Sequence, residues 1–219
     1  MARLLFEKTG SAVWISHLDL MRLFQRAFKR AGFPLTHTQG FNPRPSVSIA
    51  LPLSVGTQSH CELLDFELEG GIGDVEFLRE KLNRALVSGV RVLEVYETGR
   101  KLKELATMSC RITLFYDNGV PDGASKLIHA LFRRDSLPVE KKSKNGPVEQ
   151  DILPMIRRFE LQNTTQNQLT IQATVCCQNP SLNPMQIVAA IGRYIPELKP
   201  DHSQCCRLEI FDSNEITFR

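Results

Sequence analysis

The chain has 219 residues, of which 42% are hydrophobic and 23% are charged, and its formal net charge is +3 at pH 7. This is the composition of an ordinary soluble protein, with room for one large domain or two of about 100 residues. No apolar run reaches the about 20 residues of a membrane helix, and the N-terminus lacks the apolar core of a secretory signal. We therefore expect a cytoplasmic protein with no membrane partner.

The first half of the chain predicts the element order β-α-β-β-α-β. The predicted elements are a strand over Arg3–Glu7, a helix between Ser16 and Gly32, strands over Val47–Leu53 and Cys61–Leu68, a helix over Val75–Leu86 and a strand over Arg91–Tyr96. Ser16 is the expected N-cap of the first helix, and Asp19 completes a capping box. Gly32 is the expected C-terminal stop, and Pro34 prevents the helix from resuming.

The second half repeats this order with an insertion around Ile152–Ile156. Its predicted elements are strand Cys110–Tyr116, helix Gly123–Arg134, a short strand near Val139–Lys142, a turn at Gly146–Pro147, strands Arg157–Leu161 and Leu169–Cys176, a helix from Asn183 or Pro184 to Tyr194, and strand Cys206–Phe211. The order is ferredoxin-like, with antiparallel sheets and helices on one face. We predict an α+β protein of two tandem ferredoxin-like domains, residues 1–99 and 106–219, joined by a charged linker.

The six cysteines are expected to be reduced and mostly buried, because none follows a zinc-binding spacing. In the 4-1-3-2 strand order of a ferredoxin-like sheet, the first strand lies between the Cys176–Cys177 pair and the Cys205–Cys206 pair, so the pairs are expected about 10 Å apart. A disulfide requires Cα atoms within about 7 Å. The chain also lacks a GxGxxG or P-loop motif. These patterns predict no metal site and no cofactor.

The first helix carries a basic face. Leu20, Phe24, Ala27, Phe28 and Ala31 recur at helical spacing and form the predicted buried stripe, whereas Arg22, Arg26, Lys29 and Arg30 lie on the other side. The chain has no acid between Asp19 and Glu62, and this local excess of cations favours a polyanionic partner over a merely solvated face. The segment Glu62–Glu80 is acidic instead, and is either a solubility device or a docking face for a basic partner.

The loop Thr36–Pro45 is a candidate binding loop. Gly40 can adopt a positive φ, and Pro43 and Pro45 restrict the backbone on either side of Arg44, so the loop should be stiff. Its donors, which are the side chains of Gln39, Asn42 and Arg44, suit phosphates or base edges. The alternative is an ordinary polar connection.

His17 is the candidate catalytic residue. It lies in the first turn of a helix, where the positive end of the helix dipole disfavours the imidazolium form and leaves a base. The alternative is a local structural or binding role. The other histidines show no metal-binding spacing.

The segments FEKTG, WISHLDLMRLFQRAFKRAG and TQGFNPRPSVSIALPLSVG resemble a bacterial family of unknown function whose members lie beside, or are fused to, cobalamin-binding radical SAM proteins. The match covers Arg3 to about Tyr96, and the second half matches in element order. The family has no established catalytic residues, and Arg44 replaces a histidine that is common in its loop. Genes of that family often lie next to genes for an RNase of the E/G type and for large-subunit ribosomal proteins, so the resemblance implies, by association, a role in RNA metabolism. The chain itself lacks a CxxxCxxC cluster motif.

We therefore predict an accessory protein that binds RNA (tRNA or rRNA) and presents it to a radical SAM RNA-modifying enzyme, with no reaction of its own. The predicted binding residues are Arg22, Arg26, Lys29, Arg30, Gln39, Asn42 and Arg44. Two alternatives remain open: a docking module for a radical SAM protein, and a metal-independent ribonuclease that uses His17.

Overall fold

Antiparallel strands and α-helices alternate along the chain in a computed structural model that describes residues 2–143 and 146–219. Within these residues the fold is mixed α+β with four α-helices. The chain divides into an N-terminal unit, Met1–Glu104 with Thr217–Arg219, and a C-terminal unit, Leu105–Ile216. No helix in the described parts of the chain is long and apolar enough to cross a membrane.

The N-terminal unit contains four strands and two helices. They are β1 (Ala2–Lys8), α1 (His17–Ala31), β2 (Val47–Ile49), β3 (Gln58–Phe66), α2 (Val75–Ala85) and β4 (Val90–Glu97). The strands pair in the order β4-β1-β3-β2, and every pair is antiparallel. Both helices contribute to one hydrophobic core with the sheet, in which Leu4 and Leu64 are fully buried together with Phe24 of α1 and Leu78 of α2.

The ends of α1 follow the local signals in the sequence. Ser16 caps the helix, because its hydroxyl accepts the amide of Asp19 at 3.2 Å and donates to the Asp19 carboxylate at 2.8 Å. Gly32 ends it in the left-handed conformation with φ 85°. The predicted buried stripe is confirmed for Leu20, Phe24, Ala27 and Phe28, but Leu23 takes the place expected for Ala31, which is half-buried.

The two strands after α1 differ from their predicted bounds. The predicted strand Val47–Leu53 ends at Ile49, where its pairing with β3 stops at Leu64, although Leu51 and Leu53 are buried. The next strand begins at Gln58 and ends at Phe66, and Leu68 forms an isolated bridge with Leu35. Hydrophobic residues therefore extend past the point at which strand pairing stops.

The C-terminal unit contains six strands and two helices within the described residues. They are β5 (Leu105–Phe115), α3 (Ala124–Leu131), β6 (Pro138–Ser143), β7 (Gly146–Asp151), β8 (Ile156–Thr164), β9 (Gln168–Cys176), α4 (Met185–Tyr194) and β10 (His202–Asp212). Four strands pair antiparallel in the order β10-β5-β9-β8, and β6 and β7 form a separate hairpin.

Several predictions for this unit were wrong in detail: α3 ends at Leu131 rather than Arg134, and β5 and β10 begin earlier than predicted, at Leu105 and His202. The expected turn residues Gly146 and Pro147 are instead the first two residues of β7, where they pair with Ser143 and Lys142 of β6. The last helix begins at Met185, with Pro184 at the N-cap position. Asn183 still contributes a cap, because its side-chain oxygen accepts the Met185 amide at 3.0 Å. The insertion is therefore the β6–β7 hairpin followed by a 3₁₀ turn at Leu153–Met155.

The cysteines are unpaired thiols, as predicted. Five are buried and Cys206 is half-buried, and β5 lies between β9, which ends at Cys176, and β10, which carries Cys205 and Cys206. Burial raises the pKa of Cys177 and of Cys206 to about 11, so both are neutral at pH 7.

Candidate nucleic-acid interface

A cleft of about 970 Å³ in the N-terminal unit lies between the first half of α1 and the segment that leads into β2. One wall comes from α1, and the other comes from the loop and from the ends of β2 and β3. Its lining residues are His17, Leu18, Met21, Arg22, Gln25, Thr38, Arg44, Pro45, Ser46, Val47, Ser48, Asp65, Phe66 and Glu67. The tertiary structure thus joins part of the predicted basic helix face to part of the predicted binding loop.

The loop wall is held by its own backbone. In the segment 36–46, hereafter the Thr36–Ser46 loop, the Thr38 amide donates to the Arg44 carbonyl at 2.8 Å, and the Ser46 amide donates to the Thr36 carbonyl at 2.8 Å. The Arg44 amide also donates to Thr38 Oγ1 at 3.0 Å. Gly40, at the tip, has φ +126°, a conformation that L side chains rarely adopt. The loop is therefore built like a short hairpin, and its tip projects into solvent.

Arg22 and Arg44 supply the cations of the cleft. Arg22 is exposed, and its guanidinium lies 3.1 Å from the Asp19 carboxylate, a solvent-screened pair of little stabilising value. The Ser16 hydroxyl and then Arg22 lower the pKa of Asp19. The guanidinium of Arg44 is exposed, and within residues 2–143 and 146–219 it has no hydrogen bond or ion pair. Arg44 is thus available to a ligand.

The acids of the cleft are already engaged. Asp65 accepts two hydrogen bonds from the fully buried Arg3, at 2.6 and 3.2 Å. The Glu67 carboxylate accepts a hydrogen bond from the Thr36 hydroxyl at 3.1 Å. Arg3 compensates the charge of Asp65, and Asp19 pairs with Arg22, so Arg44 is the cation of the lining that is left without a partner in the described residues. The cleft can therefore receive an anion.

Arg26 and Lys29 extend this positive surface along α1. They follow Arg22 by four and seven residues, which places all three on one side of the helix, and both are exposed. They do not line the cleft. Arg30 points elsewhere, because its guanidinium donates to the Ala85 carbonyl at 2.6 Å, at the C-terminal end of α2.

The remaining predicted loop residues, Gln39 and Asn42, are exposed at the loop tip and do not line the cleft. Their side chains lie on the same loop as Arg44, on the far side of the Thr38–Arg44 closure. They are therefore placed for interactions outside the cleft rather than within it.

His17 is the first residue of α1 and lines the cleft. Its Nδ1 atom is buried and accepts or donates no hydrogen bond within the described parts of the chain. A general base is normally oriented by a hydrogen bond from its second nitrogen. The ring is in place to touch a ligand, but it lacks that orienting partner.

Sequence reasoning missed several contributors. Gln25, Thr38, Ser46 and Ser48 add an amide and three hydroxyls to the lining, and only the i, i+3 spacing of Arg22 and Gln25 could have pointed to one of them. Sequence reasoning also did not predict the 3₁₀ turn Gly10–Trp14 that precedes α1.

The chain is similar in fold to solved structures with very different sequences. A chain in the crystal structure of a Cbf5-Nop10-Gar1 complex superimposes with a TM-score of 0.53 at 7% identity, covering 95% of this chain and 48% of that one. A chain of the archaeal box H/ACA sRNP Nop10-Cbf5 complex gives 0.46 at 9% identity, covering 94% and 46%. The chain thus spans about half the length of these neighbours, and its fold is similar to the matched part of the first of them.

No curated protein matches the sequence significantly. One family model does match, over residues 2–184, which is most of the chain. The chain therefore belongs to the family described as an uncharacterized protein conserved in bacteria, DUF2344.

Proposed function

We propose that the protein binds RNA through the cleft and the adjoining face of α1, and that it serves as an accessory protein that presents RNA to a modifying enzyme. The observation that carries this proposal is the convergence of Arg22 and Arg44 on one cleft lined by hydroxyl and amide groups. Guanidinium groups bind phosphate through paired, charge-assisted hydrogen bonds. Hydroxyl and amide side chains suit sugar hydroxyls and base edges.

The positive surface is directional, which favours an extended anion. Arg26 and Lys29 continue from Arg22 along the same side of α1, and within residues 2–143 and 146–219 neither of them forms an ion pair. A small anion would need only one of these cations, whereas a phosphate backbone meets several at regular spacing. An RNA strand therefore accounts for more of the surface than a small phosphate ester does.

We infer further that both units are ferredoxin-like domains, with boundaries near residues 1–99 and 106–219. The support is the element order together with the strand orders β4-β1-β3-β2 and β10-β5-β9-β8, which are equivalent once the β6–β7 hairpin is set aside. Limited proteolysis between residues 99 and 106, followed by separate thermal unfolding of the fragments, tests this division.

The proposed enzyme partner is a radical SAM protein that modifies RNA. The support is the resemblance of the segments around α1 and the Thr36–Ser46 loop to radical-SAM-associated proteins. Affinity purification of the full chain from its native host, with and without RNase treatment, tests the partner. Recovery of a radical SAM protein is expected, and its absence in both samples would remove this part of the proposal.

One specific observation favours the alternative of a ribonuclease, which is that His17 lines the cleft. Labelled structured RNA incubated with the protein in EDTA decides between the two activities. We expect the RNA to be bound and intact. Cleavage that disappears in His17→Ala would establish the ribonuclease instead.

The binding proposal is tested with a labelled RNA hairpin that contains both a duplex and a loop. Fluorescence anisotropy over a range of salt concentrations should show binding whose affinity falls as salt rises. Arg22→Gln with Arg44→Gln should weaken it, and Arg84→Gln, an exposed arginine of α2 paired with Glu80, is the matched control. No binding at low salt would favour the docking module, for which the exposed part of the acidic segment, from Glu67 to Glu80, is the candidate face, because Glu62 and Asp65 are buried.

A further inference from the structure

Two aromatic rings in the N-terminal unit are exposed in a way that folding does not explain. Trp14 is 71% exposed and Phe41 is fully exposed. Within residues 2–143 and 146–219, neither ring stacks on another ring or on a cation, whereas Phe77, which is also exposed, packs against Phe33 and Lys81. Burying a large aromatic side chain is normally favourable, so each ring left in solvent is available to a partner.

The backbone around Trp14 holds its indole in place. Trp14 ends the 3₁₀ turn Gly10–Trp14, and the Gly56 amide donates to the Val13 carbonyl at 2.9 Å. A Cβ atom added to Gly56 would lie 3.5 Å from the six-membered ring of Trp14. The indole thus rests on the bare backbone at Gly56 while most of its surface stays in solvent. An oriented ring loses little conformational entropy when it binds.

Phe41 is presented by the loop that forms one wall of the cleft. It lies between Gly40, with φ +126°, and the paired base of the Thr36–Ser46 loop, where Thr38 and Arg44 hydrogen-bond to each other. The loop therefore carries Arg44, a hydrogen-bond donor suited to phosphate, and an exposed aromatic ring three residues before it. Trp14 has the same relation to the other wall, because it precedes the cleft residues His17 and Leu18 in the chain.

Each wall of the cleft thus continues into a segment that carries one exposed aromatic ring. We propose that Trp14 and Phe41 stack on unpaired bases, so that the ligand of this surface is single-stranded RNA, such as a loop, rather than duplex. This inference rests on the proposed RNA-binding function. Stacking needs bases that are not already paired, and it tolerates any sequence because every base has an aromatic face. Arg22 and Arg44 would meanwhile hold the backbone.

Trp14 is the only tryptophan of the chain, so the tryptophan fluorescence of the protein reports on this residue alone. Its fluorescence should be quenched when an unstructured RNA of about 12 nucleotides is added, a length within the roughly 4 to 16 nucleotides that a single-strand-binding domain covers. Anisotropy should show weaker binding of a blunt duplex of the same length. Removal of one stacking ring by Trp14→Ala or Phe41→Ala should reduce affinity for the single strand roughly 5- to 150-fold.

Three further measurements serve as controls. Trp14→Phe keeps a ring and should retain much of the affinity. Phe77→Ala removes an exposed ring that already packs against protein groups and should leave RNA binding unchanged. Circular dichroism melting of every variant separates loss of binding from loss of folding.

The outcomes distinguish this inference from the function on which it rests. If single-stranded RNA quenches Trp14 and both ring variants lose affinity, the inference is supported. If RNA binds but the ring variants bind as well as the parent protein, or if the duplex binds equally well, stacking is refuted while RNA binding stands. If neither RNA binds at low salt, both proposals fail, and the exposed rings belong to a protein-docking surface.

Discussion

Thr38 and Arg44 hydrogen-bond to each other twice, through the Thr38 amide to the Arg44 carbonyl at 2.8 Å and through the Arg44 amide to Thr38 Oγ1 at 3.0 Å. The backbone of Arg44 is thereby fixed while its guanidinium stays exposed and without a partner in the described residues. The main chain of Arg44 therefore stabilises the loop, while its side chain is available to bind a ligand. The two roles can be measured separately, as stability and as RNA affinity.

Replacing Asn42 and Arg44 together by Ala should weaken RNA binding by about 1 to 3 kcal/mol for each charged or bidentate hydrogen bond to RNA that the variant can no longer make. The melting temperature should stay nearly unchanged, because both side chains are exposed and the backbone hydrogen bonds of Arg44 remain. Anisotropy and thermal melting are the two measurements. A lower melting temperature with unchanged affinity would show that these two side chains stabilise the fold and do not bind RNA.

Gly40→Val should destabilise the protein by about 1 to 3 kcal/mol, because a β-branched residue is strained at positive φ. An added Cβ atom meets nothing within 4 Å, so the cost would come from backbone strain alone. Gly99→Val is the control, since Gly99 is equally uncrowded and does not have such a φ. Urea unfolding should separate the two variants, and equal midpoints would show that the loop relaxes without cost.

The basic face of α1 should divide into two kinds of residue. Changing Arg22, Arg26 and Lys29 together to Gln should lower the slope of log affinity against log salt by about 0.7 for each phosphate that is no longer neutralised, up to about two units. Stability should change little, because the side chains are exposed. An unchanged slope would mean that this face is simply solvated.

Arg30→Gln is expected to behave in the opposite way. It removes the hydrogen bond to the Ala85 carbonyl, so it should cost about 0.5 to 1.5 kcal/mol of stability and leave the salt slope unchanged. Chemical denaturation and the same anisotropy titration measure both. A reduced salt slope with unchanged folding stability would show that Arg30 binds RNA.

Asp65→Leu should destabilise the N-terminal unit by about 3 to 5 kcal/mol, because it leaves the guanidinium of Arg3 buried without its carboxylate. The double variant Arg3→Met with Asp65→Leu should recover much of this loss, since an apolar pair of similar volume avoids the buried charge. Urea unfolding of the three proteins tests the coupling, and additive effects would contradict it.

The Ser16–Asp19 cap should contribute to the dependence of stability on pH. The pKa of Asp19 is lowered in the folded state by the Ser16 hydroxyl and then by Arg22. Its contribution is therefore fully present above the ordinary value of 3.8 and is lost as the pH falls through the lower folded value. Asp19→Asn should reduce the loss of folding stability at acid pH, measured by unfolding curves between neutral pH and about pH 3. An unchanged loss would show that other carboxylates cause it.

Local signals determined both ends of α1 without help from tertiary packing. For α1, Ser16, Asp19 and Gly32 act on backbone groups within a few residues, so its ends could be placed from the sequence. The ends of β2 could not, because Leu51 and Leu53 have the hydrophobicity of strand residues and are buried without pairing. Strand ends depend on which neighbour supplies the next hydrogen bond, and that neighbour is distant in the chain.

The candidate site shows the same division. Charge patterning alone identified Arg22 and Arg44 as cations in a stretch poor in acids, and glycine and proline spacing alone predicted a stiff loop. Only the tertiary structure brought these two residues to one cleft, turned Arg30 toward the end of α2, and left Trp14 and Phe41 in solvent. Sequence spacing specifies which side of a helix or loop a side chain occupies. What that side faces is decided by packing between residues far apart in the chain, here between α1 and the segment entering β2.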